Sequence, residues 1–391
     1  MMSKAIALLA GAALLAQPAL AADKIKIGLI TTLSGPEAVM GNPMRDSAEL
    51  ALSMLGGKIG GLPAEFVFGD DQQQPDLGRQ AAERMMQRDH VDVITGMLGS
   101  NVLLAVYPQV VRAHTFLISA NAGPHQMAGE QCSPYFFNTA NQTDEQAEAM
   151  GKHLQDIGVN DVFVLAPNYN AGKDMVAGFK RYYKGKIVGE VYTPFGQLDY
   201  QAEIGRIKAA HPKAVFVFYP GGMGIQFVKQ YAEAGLKGQI PLYSVAALDE
   251  SNLPSEKDAA VGNYSDLFWA STLDNPRNKT YVTAFRKKFG YNPSFYGAST
   301  FDTIFLIDSA VRAVHGNLSD KKGFAAALEK ADFPSVRGSF AFNSNHFPIE
   351  DFYLLKMVKT ADGNVVPHVE GTIFKAHKDA YAGKCHMGVI N

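Results

Sequence analysis

The stretch VDVITGMLGSN, residues 91–101, decides the reading of the chain. An apolar run over 91–95 stops abruptly at Gly96, Gly99, Ser100 and Asn101, and a helical pattern resumes over 103–112. This is one strand–turn–helix unit, and its small residues sit where the strand ends. Outward from it the same unit recurs. Strand patterns at 24–29, 64–68 and 116–119 alternate with helical patterns at 43–55 and 76–88. Residues 120–141 then lack periodicity and are rich in Gly, Pro, Asn and Gln. A second series follows, with helical patterns at 143–157, 172–183, 201–210 and 223–234 and strands at 162–166, 186–192, 214–219 and 241–245. After a change near 268–278, helices are expected at 277–289 and 295–315, and strand patterns without a long helix fill 336–366. Repeated βα units read as parallel, doubly wound sheets. The 391 residues are enough for two such lobes. Two independent enzyme domains, or two lobes facing each other across a cleft, fit this pattern equally.

Composition narrows the function. The formal net charge is −2, and Lys and Arg are scattered over helical segments, so nothing marks a nucleic-acid partner. Residues 1–21, MMSKAIALLAGAALLAQPALA, have an early Lys, a short apolar core and Ala19-Leu20-Ala21 at the end. That is a secretory signal with cleavage after Ala21, and its core is too short to span a bilayer. Export makes the two cysteines, Cys132 and Cys385, a candidate disulfide, with two free buried thiols as the alternative. The bridge would constrain the unfolded chain by about 4 kcal/mol or more on a loop-entropy estimate.

Ligands of open α/β sheets lie beyond the carboxyl ends of strands. Four stretches qualify: TTLSGP at 31–36, GSN at 99–101, SANAG at 119–123 and YPGG at 219–222. Each lets backbone approach a ligand closely, and the N–H groups after Asn101 suit an anion such as a carboxylate. Taken singly, each stretch is equally an ordinary βα turn or helix cap. Catalytic signatures are missing: there is no HExxH, Walker loop or GxSxG. The glycine-rich GGKIGG at 56–61 follows a helix and reads as a cap and turn. Asp70-Asp71 is a possible cation site without further ligands nearby in sequence, and the ten histidines, His114, His125 and His211 among them, are dispersed. No metal site and no cofactor are expected.

These segments together resemble the periplasmic solute-binding proteins of branched-chain amino-acid-type ABC importers, with the type I periplasmic-binding fold. The signposts are IKIGLITTLSGPEAVMG at 25–41, FVFGDDQQQPDLGRQAAERMM at 66–86, VDVITGMLGSNVLLA at 91–105 and FLISANAGP at 116–124. The second half adds VFVLAPNYNAGKDMVAGF at 162–179, AVFVFYPGGMG at 214–224 and YGASTFDTIFLIDSAV at 296–311. The resemblance implies two Rossmann-like parallel-sheet lobes joined by three crossovers, a soluble periplasmic protein, and delivery of an unaltered solute to an inner-membrane ABC permease. It divides the mature chain into an N-terminal lobe of 22–141 and 271–345 and a C-terminal lobe with tail of 142–270 and 346–391.

The resemblance also assigns a site. Ser100 and Asn101, with Ala120, Asn121 and Ala122, fall where the family grips a carboxylate. Tyr219 and Gly221 match the second-lobe wall, Met40 a position often aromatic, and Phe295 and Tyr296 the apolar end, where core packing is an equal reading. Amino-acid binders usually place an acid after the strand matching 241–245; here Val245-Ala246-Ala247 stands there, with Asp249 the nearest acid. An ammonium buried without an acceptor is costly. The chain is therefore expected to resemble the aromatic-acid-binding members, taking a benzoate- or phenylpropanoid-type carboxylate. A region around Cys132 together with Cys385 also resembles members bearing a disulfide there. Branched-chain amino acids or amides remain an alternative substrate class; a solute-sensing partner and a hydrolytic enzyme are alternatives of another kind.

Overall fold

The computed structural model describes residues 23–390; the signal reading of residues 1–21 lies outside them. Thirteen strands are found among the described residues: β1 Ile25–Thr31, β2 Lys58–Ile59, β3 Leu62–Asp70, β4 Val93–Gly96, β5 Phe116–Ser119, β6 Phe136–Asn138, β7 Asp161–Pro167, β8 Lys186–Thr193, β9 Ala214–Phe218, β10 Leu242–Val245, β11 Tyr264–Leu267, β12 Glu350–Lys359 and β13 Val365–His377. They form two sheets, ordered β2-β3-β1-β4-β5-β6 and β13-β12-β11-β10-β9-β7-β8. Within the first sheet β1, β3, β4, β5 and β6 pair in parallel, as do β7 to β11 in the second.

Continuous apolar runs explain the parallel centres. Every residue of β4, β5 and β9 is buried, because helices cover both faces of the sheet. At the far edge of the second sheet, β12 and β13 pair antiparallel, and β12 alternates buried and partly exposed positions over much of its length. The helix Phe295–Ala313 is buried almost all round and lies against the helix Ala38–Met54. A sequence apolar on every face belongs in such an interior place.

The irregular stretch 120–141 holds more structure than its composition suggests. Phe136–Asn138 pairs with β5 as a sixth strand, and His125–Ala128 makes one helical turn. Three residues between turn formers are too few to show a period. The chain passes between the sheets three times: after β6, after β11 and before β12. Arg337, on the last passage, joins all three. Its guanidinium donates to Thr139 O and, at 3.1 Å, to Ala140 O on the first passage, and it lies 4.3 Å from the Phe268 ring centroid on the second. It also pairs with Glu350 of β12 at 3.0 Å.

The tail beyond β13 is tied down rather than loose. Cys385 is disulfide-bonded to Cys132 across 253 residues of sequence, so the free-thiol alternative does not hold. Nearby, Tyr381 donates to Asp144 at 2.7 Å and accepts from Arg181 at 2.8 Å. Among the described residues no helix is long and apolar enough to cross a membrane.

Candidate functional site

β4 ends at Gly96, whose φ of 107° and closeness to Ile30 O exclude a side chain. The chain then turns through Met97 and starts the helix Ser100–Arg112 after Gly99. The helical ladder begins with Leu103 N–H donating to Gly99 O at 2.9 Å. The N–H groups of Ser100, Asn101 and Val102 precede it and have no helical acceptor. Ser100 is 3% exposed, its hydroxyl makes no hydrogen bond to the described residues, and it lines a cavity between the two lobes.

β5 supplies the adjoining corner. Ala120 N–H donates to Gly96 O and Ala122 N–H to Met97 O, both at 2.9 Å. These bonds zip the two strand ends together and consume both alanine donors. Only the Asn121 N–H between them is left without an acceptor, while the Asn121 side chain donates to Leu98 O at 2.6 Å. The expected carboxylate grip therefore contracts. Ala122 lines the cavity only as a small wall, Ala120 is buried behind it, and the Asn101 side chain turns away to donate to Gln73 O at 3.1 Å. Donors remain at Ser100, at the first-turn N–H groups and at Asn121.

Across the cleft β9 ends in Phe218 and Tyr219, and the strand alternation decides which of them faces in. Phe218 and Pro220 line the cavity; Tyr219 does not. The Tyr219 ring is fully buried within the second lobe, 4.8 Å from Tyr200 and 5.3 Å from Phe227, and its hydroxyl accepts from Thr193 at 3.1 Å. Placing Tyr219 against a ligand is thus corrected. Gly221 does not line the cavity either. At φ 57° it allows a close approach: a Cβ there would stand 2.8 Å from Met40 Cε of the facing lobe. Met40 itself lines the cavity, and the lobes meet at this point.

Aromatic rings form the walls. Tyr169 and Phe195 lie with centroids 4.8 Å apart, Tyr169 and Phe218 stack at 6.3 Å, and Phe295 and Tyr296 lie 3.8 Å apart. All five line the cavity, an apolar wall with a few polar groups of the kind small-ligand sites have. Ala246, beyond β10, lines it in a left-handed conformation, φ 60°, held by Asn252 Nδ2 donating to Ala246 O at 3.1 Å and Ala247 O at 2.9 Å. Asp249 does not reach the cavity. It is fully buried, accepts from Ser251 N–H at 2.6 Å, and burial pushes its carboxyl up to about 8.

Sequence reading missed Tyr169, Phe195, Glu37, Gln73, Thr143 and Gln146, all of which line the cavity. Tyr169 and Phe195 follow β7 and β8, so the strand-end rule was available for both. Among the described residues, Glu37 is the only charged side chain in the lining. Asp70 and Asp71 do not make a cation site. Asp70 accepts from Leu33 N–H at 2.8 Å and Ser34 Oγ at 2.6 Å, and Asp71 from Thr32 Oγ1 at 2.6 Å and Gln73 N–H at 2.9 Å. They fix the loop of Thr32, Leu33 and Ser34, which leads to Glu37 and the helix of Met40, against the loop that carries Gln73. No group of three metal-ligating side chains occurs among the described residues.

Residues 24–364 match the periplasmic binding protein family. A solute-binding protein of an ABC transporter from R. palustris, in complex with benzoate, is similar at TM-score 0.87 and 28% identity, covering 93% of this chain and 99% of that one. One from Rhodopseudomonas palustris, in complex with 3,4-dihydroxybenzoic acid, has TM-score 0.87 and 29% identity, covering 93% and 100%. The Leu/Ile/Val-binding protein homolog 6 of Brucella melitensis is 28% identical over 364 residues, 89% of this chain and 91% of its own. The chain belongs to the periplasmic binding protein family, in its type I architecture of two parallel-sheet lobes.

Proposed function

We propose that the protein binds a small aromatic carboxylate in the periplasm, without transforming it, for an ABC importer. The observation that carries this reading is the cavity lining. Neutral donors at Ser100 and Asn121 share the cavity with rings at Tyr169, Phe195, Phe218, Phe295 and Tyr296, and the lining at Ala246, where the resemblance leads one to expect an amino-acid binder's acid, is apolar. Neutral donors held in a closed, partly dry site replace the water an anion loses. The benzoate and dihydroxybenzoate complexes of similar proteins support the same class. The partner implied is an inner-membrane ABC permease. The division into lobes at residues 22–141 with 271–345, and 142–270 with 346–391, is part of the same reading.

Branched-chain amino-acid binding is the second reading. The name of the Brucella relative favours it, and Glu37 gives an ammonium one acid within the cavity. A thermal-shift screen of ligand-stripped protein decides between the two. Stripping comes first because retained solute masks added ligand through mass action. Stabilisation by benzoate and hydroxybenzoates, and none by leucine or phenylalanine, is expected; the reverse pattern would reject the aromatic reading.

A further inference from the structure

Glu37 has no structural task that accounts for its position. It sits at the N-cap of the helix Ala38–Met54, yet its side chain makes no capping hydrogen bond. It is 8% exposed and takes no hydrogen bond or ion pair from any other described residue. The cavity that it lines contains no Lys, Arg or His. A carboxylate solute would therefore share a small enclosed space with a second carboxylate and with no cation between them. Like charges so placed repel strongly at low effective dielectric, and burial already raises the Glu37 pKa. An acid in this setting is tolerated when the bound molecule brings it a hydrogen-bond donor.

The surroundings say what kind of donor. Tyr169, from the second lobe, lines the same cavity, and its hydroxyl makes no hydrogen bond to the described residues. Burial, and then the charges of Glu37 and Asp174, hold that phenol protonated, so it keeps a proton to donate. Around them lie Phe195, Phe218 and Met40, which suit a flat ring rather than a hydrated cation. Because Glu37 comes from one lobe and Tyr169 from the other, a hydroxyl that reaches both also bridges the closed cleft.

We propose that Glu37, with Tyr169 lining the same cavity, reads a hydroxyl on the ring of the solute, so that the protein selects hydroxylated aromatic acids over unsubstituted ones. This rests on the aromatic-acid reading above. The hydroxyl donates to the Glu37 carboxylate and is within reach of the Tyr169 hydroxyl as a second partner, while the solute carboxylate lies at Ser100 and Asn121. Glu37 then acts by discrimination: it strengthens binding of a donor-bearing ring and weakens binding of a ring without one.

The test is calorimetric titration of stripped wild type, Glu37→Gln and Glu37→Leu with benzoate, 3-hydroxybenzoate and 4-hydroxybenzoate. Wild type is expected to bind at least one hydroxy acid about tenfold or more tighter than benzoate, the worth of one charge-assisted hydrogen bond. In Glu37→Leu that ratio falls to about one or below, and benzoate affinity is kept or raised as the repulsion goes. Glu37→Gln, nearly isosteric, lies between and guards against a misfolded leucine variant. A purely structural role would weaken all three ligands alike and would overturn the inference. So would a wild type indifferent to the hydroxyl, or a preference that survives in both variants. If wild type binds none of the three acids and binds leucine instead, the aromatic reading itself fails, and the ring-hydroxyl inference falls with it.

Discussion

At the residue scale, Ser100 is the side chain on which the anion anchor most depends. Its hydroxyl is unpaired in the cavity wall, whereas the neighbouring alanine N–H groups are spent on backbone bonds. Ser100→Ala should weaken carboxylate binding by about 10- to 100-fold, the equivalent of roughly 1.5–3 kcal/mol, with the first-turn N–H groups limiting the loss. Unchanged affinity by calorimetry would place the carboxylate elsewhere. Asp249 makes a different prediction. Burial lifts its pKa from 3.8 to about 8, and Glu250 and Glu256 beside it shift in the same direction. Between those values the unfolded chain has released a proton that the fold still holds. The contribution of Asp249 to stability therefore falls as pH rises from about 4 to about 8, by up to about 1.4 kcal/mol per unit. Chemical denaturation at pH 5 and pH 8 should show this fall, and Asp249→Asn should flatten it; parallel pH profiles for the two proteins would contradict the account.

At the element scale, the βα units explain both what the sequence discloses and what it withholds. Strand ends marked by Gly96-Met97-Leu98-Gly99 and Ser119-Ala120-Asn121 are legible, because an apolar run must stop where small residues take over. Whether a given N–H there is free is not legible, since pairing between the two loops takes up Ala120 and Ala122 and spares Asn121. Nor is the facing of Tyr219: one residue of strand phase separates the cavity from the core, and Phe218 takes the inward place. Phe195 and Tyr169 were within reach of the same rule, since they too follow strands and sit beside Gly196 and Ala171-Gly172, but an aromatic residue in a turn does not say whether it faces a cavity or the core. The disulfide belongs to this scale too, since it fastens the tail after β13 to the segment before β6. Replacing both cysteines by serine should lower stability by about 2–5 kcal/mol, read by denaturant unfolding, while ligand affinity at low temperature stays near wild type. A loss of affinity with no loss of stability would mean that the tail serves the site instead.

For the whole molecule, function follows from two lobes that meet on a shared solute. Met40 approaches Gly221 closely, and Pro36 Gly222, leaving no room for a larger side chain at Gly221, so the lobes meet beside the cavity. Arg337 fastens the three passages together, and such connecting segments are where two-lobed proteins hinge. The two-lobed plan was readable from the paired βα series and the resemblance; the polarity of the enclosed space was not, because the stretch before Glu37 drew attention for its small residues, and only the fold shows that Glu37 is the one charge lining the cavity among the described residues. The central claim is that this space holds an aromatic acid by its carboxylate. Calorimetric titration of the stripped protein with 4-hydroxybenzoate, its methyl ester and leucine tests it most directly. The account predicts one molecule of the acid bound per chain, about tenfold or more weaker binding of the ester, and no heat from leucine. Equal affinity for acid and ester, or tight binding of leucine alone, would contradict it.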